Sequence, residues 1–240
     1  MAEEAKPQLK GNLITENPNL DAVVKTLTEA RAFYDDPAFA YFRRGLKGKK
    51  LDRHNKVFFG GFARITALQG LLVRGLNQPD TCRSMLERPY EVDDYSNICM
   101  WYPPFYEITT NMFRTGLWIS MLQVPLKVTL RTLFNYSPKA DKAKAKYFKS
   151  INYDYKKKGF YYLLITGTRD NKRGKGLLKH NMLPILEKAD KEGIACYLES
   201  TKESNIPIYE RFGFKVVDRF ELKDKIATVP IACMARLPAA

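Results

Sequence analysis

Two short apolar runs, FYYLLIT at 160–166 and IACYL at 194–198, flank a stretch of helical period, and this block constrains the chain more than any other. Runs of that length, rich in aromatic and branched residues and bounded by glycine, read as buried strands. Between them apolar residues recur at 177, 178, 182, 183, 185, 186 and 189. That is one face of a helix over Lys175–Lys191, with Gly193 as its stop. A crossover helix returns the chain to the same end of the sheet, so the two strands run parallel. Downstream, Ile206–Arg211 reads as a short helix opened by Asn205 and Pro207. Phe214–Val217 and Arg219–Leu222 are strand-like, and Thr228–Leu237 is a last strand.

Upstream, Asn19 or Asp21 caps AVVKTLTEARAFYDD, a helical stretch that Pro37 closes. Leu51–Leu76 is a second helical stretch, and Glu91–Tyr102 is a strand stopped by Pro103 and Pro104. Phe105–Phe134 reads as helical with a break before Pro125, and 135–158 as a basic helix plus loop. The whole predicts an α/β (α+β) fold in a single domain over 1–240, with a mixed central sheet flanked by helices. Residues 1–150 form its first part and 151–240 its second.

The composition narrows the function classes. An apolar fraction of 45% is enough for a packed core. A net charge of +14 suits an anionic partner. The lysines are spread along the chain, and the one dense run, KADKAKAKYFK, reads as a solvated helix face, so a small anionic ligand fits better than nucleic acid. Cys82, Cys99, Cys196 and Cys233 form no CxxC pair and the chain has 2 histidines, so no zinc site is expected. His54 and His180, in basic helical surroundings, read as surface residues. The N-terminus lacks the apolar core of a signal peptide, and no long charge-free run is present. The expectation is a cytoplasmic protein without a membrane span.

Between the first strand and the helix lies GTRDNKRGKGLLKH, 167–180. The first amides of a helix have no carbonyl partner, and the helix dipole adds partial positive charge there. A basic, glycine-containing loop feeding that end is an anion trap. Gly174 and Gly176 let the backbone approach a bulky pyrophosphate, and Arg169, Lys172, Arg173, Lys175 and Lys179 add charge. The loop is neither GxxxxGK[ST] nor GxGxxG, and by itself it is equally a solvated basic turn.

Arg173-Gly174-Lys175-Gly176-Leu177-Leu178 resembles the acyl-CoA signature (Q/R)-x-x-G-x-(G/A) of the GNAT acyltransferase superfamily. YLLITGTRDNKRGKGLL, ADKEGIACYLEST and NIPIYERFGF follow the order of that family's conserved blocks, in the branch of fungal GNAT proteins and puromycin acetyltransferase. The resemblance needs no gap from Tyr162 to Phe214, and extends more loosely to ARAFYDDPAF and MWYPPF. It implies a sheet whose two parallel strands splay apart. It implies that Arg173, Gly174, Lys175, Gly176, Leu177 and Leu178 wrap the coenzyme's pyrophosphate. Thr166, Gly167 and Thr168 would bond the pantetheine arm, with Asn205 also touching it. Leu178 stands where the family has Gly or Ala, and either crowds the helix start or points into the core.

The chemistry implied is transfer of an acetyl group from acetyl-CoA to the amine of a small molecule, directly in a ternary complex. Tyr209 would protonate the departing thiolate and Glu199 would take the amine's proton. The bland readings stand beside these: Tyr209 as a packing aromatic, Glu199 as a loop cap or ion-pair partner. Phe33, Tyr34, Tyr102 and Phe105, with Trp101 and Tyr106, either line an acceptor pocket or belong to the core. No metal is expected, and the protein would work as monomer or homodimer. Alternatives are a catalytically weak or inactive CoA-binding regulatory protein, favoured by Leu178, and an O-acyltransferase.

Overall fold

A computed structural model describes residues 11–14, 27, 28, 33, 35–61, 83–87, 97–105, 118, 122, 126 and 130–239. Its strands are β1 (Gly11–Ile14), β2 (Arg83–Glu87), β3 (Asn97–Tyr102), β4 (Tyr161–Thr168), β5 (Cys196–Ser200), β6 (Lys215–Lys223) and β7 (Thr228–Arg236). They form a 7-stranded sheet in the order β1-β2-β3-β4-β5-β7-β6. Every neighbouring pair is antiparallel except β4 and β5, which run parallel. The helices are α1 (Pro37–Phe42), α2 (49–61), α3 (Ser137–Ser150), α4 (Tyr155–Lys158), α5 (Leu178–Glu192) and α6 (Ile206–Glu210). A π-helical turn, Arg131–Tyr136, leads into α3.

Helices cover both faces of this sheet. On one face α5 and α6 pack Met182, Ile185, Leu186, Ala189 and Tyr209 over Cys99, Trp101, Leu163, Leu198 and Met234. On the other, Phe148 of α3 is wholly buried among the rings of Tyr153, Tyr155, Phe160 and Tyr197, with centroids 5.1, 5.3, 5.4 and 5.9 Å away. Ala140 and Ala143 let α3 lie close to the strands while its exposed lysines stay in water. Beside it, Leu27, Phe33 and Phe59 close over Ile98, Met100 and Ile165.

The structure moves several boundaries read from sequence. Pro37 opens a helix instead of closing one. Asp36 caps it, its Oδ1 accepting from Ala38 N and Phe39 N at 3.0 Å each. Proline at the first turn lacks only an amide that the helix would leave unbonded anyway. α5 starts at Leu178 and not at Lys175, because Gly174 and Gly176 hold φ of 75 and 70, on the left-handed side. The two strand-like runs after Phe214 are one strand, with a register shift between Val216 and Asp218. Strands β1 and β2 were not anticipated. Of the long helical stretches, 62–76 and most of 105–130 lie outside the described residues, as do Tyr34, Cys82 and Tyr106. His54 is buried rather than on the surface, and burial beside Arg43 lowers its pKa to about 4.

Among the described residues no helix is long and apolar enough to cross a membrane.

Candidate functional site

The parallel strands β4 and β5 pair at only two positions, Tyr161 with Cys196 and Tyr162 with Tyr197, and then separate. A bulge sits at the point of separation. Across β3, Met100 faces Ile165 and Trp101 faces Leu163, which leaves Leu164 unpaired. The extra residue turns Ile165 toward the Phe33 and Phe59 side, whereas Leu163 packs under α5. From Leu163 to Thr168 the edge of β4 that faces β5 therefore has no partner strand among the described residues. Strand edges carry backbone donors and acceptors that need partners.

The open end of β4 is held from its other side. Asn97 Nδ2 donates to Gly167 O at 3.2 Å and to Thr168 Oγ1 at 2.8 Å. Asn181 Nδ2 of α5 donates to Asn97 Oδ1 at 2.6 Å and to Asn97 O at 3.3 Å. Both asparagines are fully buried. The Cys99 thiol and Thr166 Oγ1 add a contact of 3.2 Å. One polar chain thus fixes Thr166, Gly167 and Thr168 against α5.

The start of α5 follows this strand after the loop 169–177, which carries a short 3-10 turn at Asp170–Lys172. Its N-cap, Leu177, makes no side-chain cap bond, and its first turn has no acidic residue. Helix starts normally favour both. The first cross-turn bonds run from Lys179 N to Gly176 O and from His180 N to Leu177 O, so among the described residues Gly176, Leu177 and Leu178 present amides without backbone partners. A Cβ at Gly174 or Gly176 would meet nothing within 4 Å, so the space over this turn is open. Lys175 is exposed, and Arg173 pairs with Asp170 at 2.5 Å. Leu178 packs against the core under α5, which decides between the two orientations its sequence position allowed.

Tyr209 and Glu199 lie on opposite faces of the sheet, on either side of the gap. Tyr209 is buried in α6, its ring 6.3 Å from Phe214. Desolvation pushes its phenol up, with the Cys99 and Asp36 side chains adding to the rise. Its hydroxyl has no hydrogen bond among the described residues. The carboxylate that acts on it is Asp36, also buried, whose Oδ2 accepts from Thr201 Oγ1 in the segment between β5 and α6. Asn205, at the start of α6, makes no side-chain cap bond.

Glu199 lies within β5, paired with Cys233, and not at the strand's end. Alternation along the strand puts it on the face of Tyr197 and α3. Tyr162 Oη donates to Glu199 Oε2 at 2.6 Å. Desolvation pushes the Glu199 carboxyl up to about 7, against the opposing pull of the Tyr162 bond and of Lys144. The ring of Tyr102 is 6.0 Å from that of Tyr162, which brings Tyr102 to this group. Phe33 is instead in the aromatic cluster with Phe39 and Phe59, and Trp101 is in the core beneath α5. Phe105 is 64% exposed, after β3. There Pro104 approaches Gly159 so closely that a Cβ on Gly159 would stand 2.4 Å from Pro104 Cβ.

A mixed sheet that splays between its parallel strands, with an open, uncapped helix start beside the gap, is a fold that the chain shares with solved acetyltransferases. The chain is similar to an uncharacterized N-acetyltransferase of Schizosaccharomyces pombe, 26% identical over 209 residues, which cover 86% of this chain and 76% of the relative. Its fold is similar to that of a Corynebacterium glutamicum protein described as histone acetyltransferase HPA2 and related acetyltransferase. There the TM-score is 0.57 at 16% identity, covering 96% of this chain and 98% of the other. It is also similar in fold to arylalkylamine N-acetyltransferase 2 of Aedes aegypti, with TM-score 0.55 at 14% identity, covering 97% and 100%. No family model matches the chain.

Proposed function

We propose that the chain is an acetyl-CoA-dependent N-acetyltransferase that works as one domain on the amine of a small molecule. The observation that carries this is the gap between β4 and β5 with an uncapped, basic helix start beside it. The residues fit the coenzyme. Amides at 176–178 and the charges of Lys175 and Lys179 suit a pyrophosphate, and the free edge of β4 at Thr166–Thr168 suits an amide-bearing arm. The Schizosaccharomyces pombe relative bears the name of the same activity.

Acetyl-CoA, when bound, supplies an acyl thioester that an amine converts to an amide and a thiol. Glu199, ionised, takes a proton from the acceptor's ammonium on the face of Tyr162 and Tyr197, which frees the nitrogen lone pair. On the other face, Tyr209 keeps its proton at neutral pH because burial raises its pKa, and it donates that proton to the departing sulfur. The second proton of the attacking nitrogen restores Tyr209, and the proton held by Glu199 leaves to solvent, so each turnover releases one proton. Backbone amides along the unpaired edge of β4 are available to the carbonyl oxygen.

The rival reading, an inactive coenzyme-binding protein, drew on Leu178, whose side chain packs into the core. Release of free thiol from acetyl-CoA, measured against a panel of small amines, tests the proposal. Amine-dependent release that disappears in Gly174→Glu supports it. Coenzyme binding without release for any amine class would leave the regulatory reading in its place.

A further inference from the structure

We propose that Tyr162 is a positioning residue: its hydroxyl reaches across the apex of the β4–β5 gap and aims the Glu199 carboxylate at the incoming ammonium. This rests on the function proposed above. Tyr162 is the last residue of β4 to pair with β5, opposite Tyr197. Its bond to Glu199 therefore spans the two strands diagonally, just where the sheet opens. A short hydrogen bond to a charged acceptor is among the stronger ones, and it fixes the carboxylate's direction as well as favouring its ionised form.

The surroundings suit an amine. Glu199 forms no ion pair among the described residues. Tyr197 beside it is fully buried, and its hydroxyl has no hydrogen-bond partner among those residues; the Cys233 thiol adjoins it outside bonding geometry. A carboxylate that forms no ion pair among the described residues, set among the rings of Tyr102 and Tyr162 beside the buried Tyr197 phenol, offers a seat for a single ammonium group. The groups that act on Glu199 are Tyr162 from β4, Tyr197 from β5, Cys233 from β7, Tyr136 from the π-helical turn, and Lys144 and Asp141 from α3. Of these, Tyr162 alone bonds the carboxylate directly.

The test is a titration of the free protein, followed at the Glu199 side-chain carboxyl carbon by NMR. Tyr162→Phe should move the Glu199 midpoint upward from about 7, by roughly one to two pH units. Tyr155→Phe, which alters the same aromatic cluster without touching Glu199, should leave it in place. In the wild-type chain, the Tyr162 ring carbon that bears the hydroxyl should titrate with the same midpoint as Glu199. This measurement also serves should Tyr162→Phe not fold. An unmoved midpoint, or a Tyr162 signal that ignores the Glu199 titration, overturns the assignment. The function reading is judged separately: Glu199→Gln with undiminished turnover and an unchanged acid limb would remove Glu199 as base whatever the titration gives.

Discussion

The two faces of the sheet at the β4–β5 gap are made of different materials. Under α5 and α6 the gap is lined by Cys99, Leu163, Leu198 and Tyr209, apolar or weakly polar groups in a continuous core. Under α3 and the π-helical turn it is lined by Tyr136, Tyr162, Tyr197 and Glu199. The first environment keeps a phenol protonated, and the second carries a carboxyl that changes charge near neutral pH. In the proposed reaction, placing the two on opposite faces would separate the group that gives a proton from the group that takes one.

Substitutions on each face can break this contrast. Gly174→Glu acts at the shared entrance and should have the largest effect. It forces a side chain into a positive-φ backbone and sets a negative charge at an uncapped helix start. Coenzyme affinity, read by calorimetry, should fall about a hundredfold or more. Tyr209→Phe should lower kcat about a hundredfold with coenzyme Kd and Tm unchanged, since the lost hydroxyl has no bond among the described residues. A fall in Tm with kcat intact would make Tyr209 a packing residue.

Smaller effects sharpen the comparison. Asn181→Leu removes the side chain that holds Asn97 and, through it, Gly167 and Thr168. Coenzyme Kd should rise about tenfold, with a smaller change in kcat. Glu199→Gln should show its smallest signature in stability. The folded carboxyl titrates near 7 against an ordinary 4.5, so the wild type is favoured in full below 4.5 and loses that contribution as pH rises through 7. The variant should therefore melt a few degrees higher than wild type above pH 7, and the advantage should vanish below 4.5. An equal Tm at all pH values would mean that Glu199 is not desolvated.

The C-terminal half was legible because its signals are local. Helical period, bounding glycines and an unbroken set of family blocks lie between Tyr162 and Phe214. The start of α5 was misjudged because apolar period continues through Leu177, and only backbone torsion at Gly174 and Gly176 shows where the helix begins. Strands β1 and β2 are 4 and 5 residues long and pair with each other across a long separation in sequence, leaving no alternation to read. Asp36 was hidden by a proline that reads equally as stop or start. Tyr162 became visible only through register. Its partner is diagonal across two parallel strands, and no spacing in sequence reports which residues face each other there. Asn97 and Asn181 were missed for the same reason, since their bonds join a strand, the end of another strand and a helix.

Calorimetric titration of acetyl-CoA into the wild-type chain and into Gly174→Glu tests most directly whether the coenzyme lies in the β4–β5 gap with its diphosphate on the start of α5. The account predicts saturable, single-site binding to the wild type and binding weaker by about a hundredfold or more in the variant. No heat from the folded wild type at millimolar ligand, or equal binding by both proteins, would contradict it.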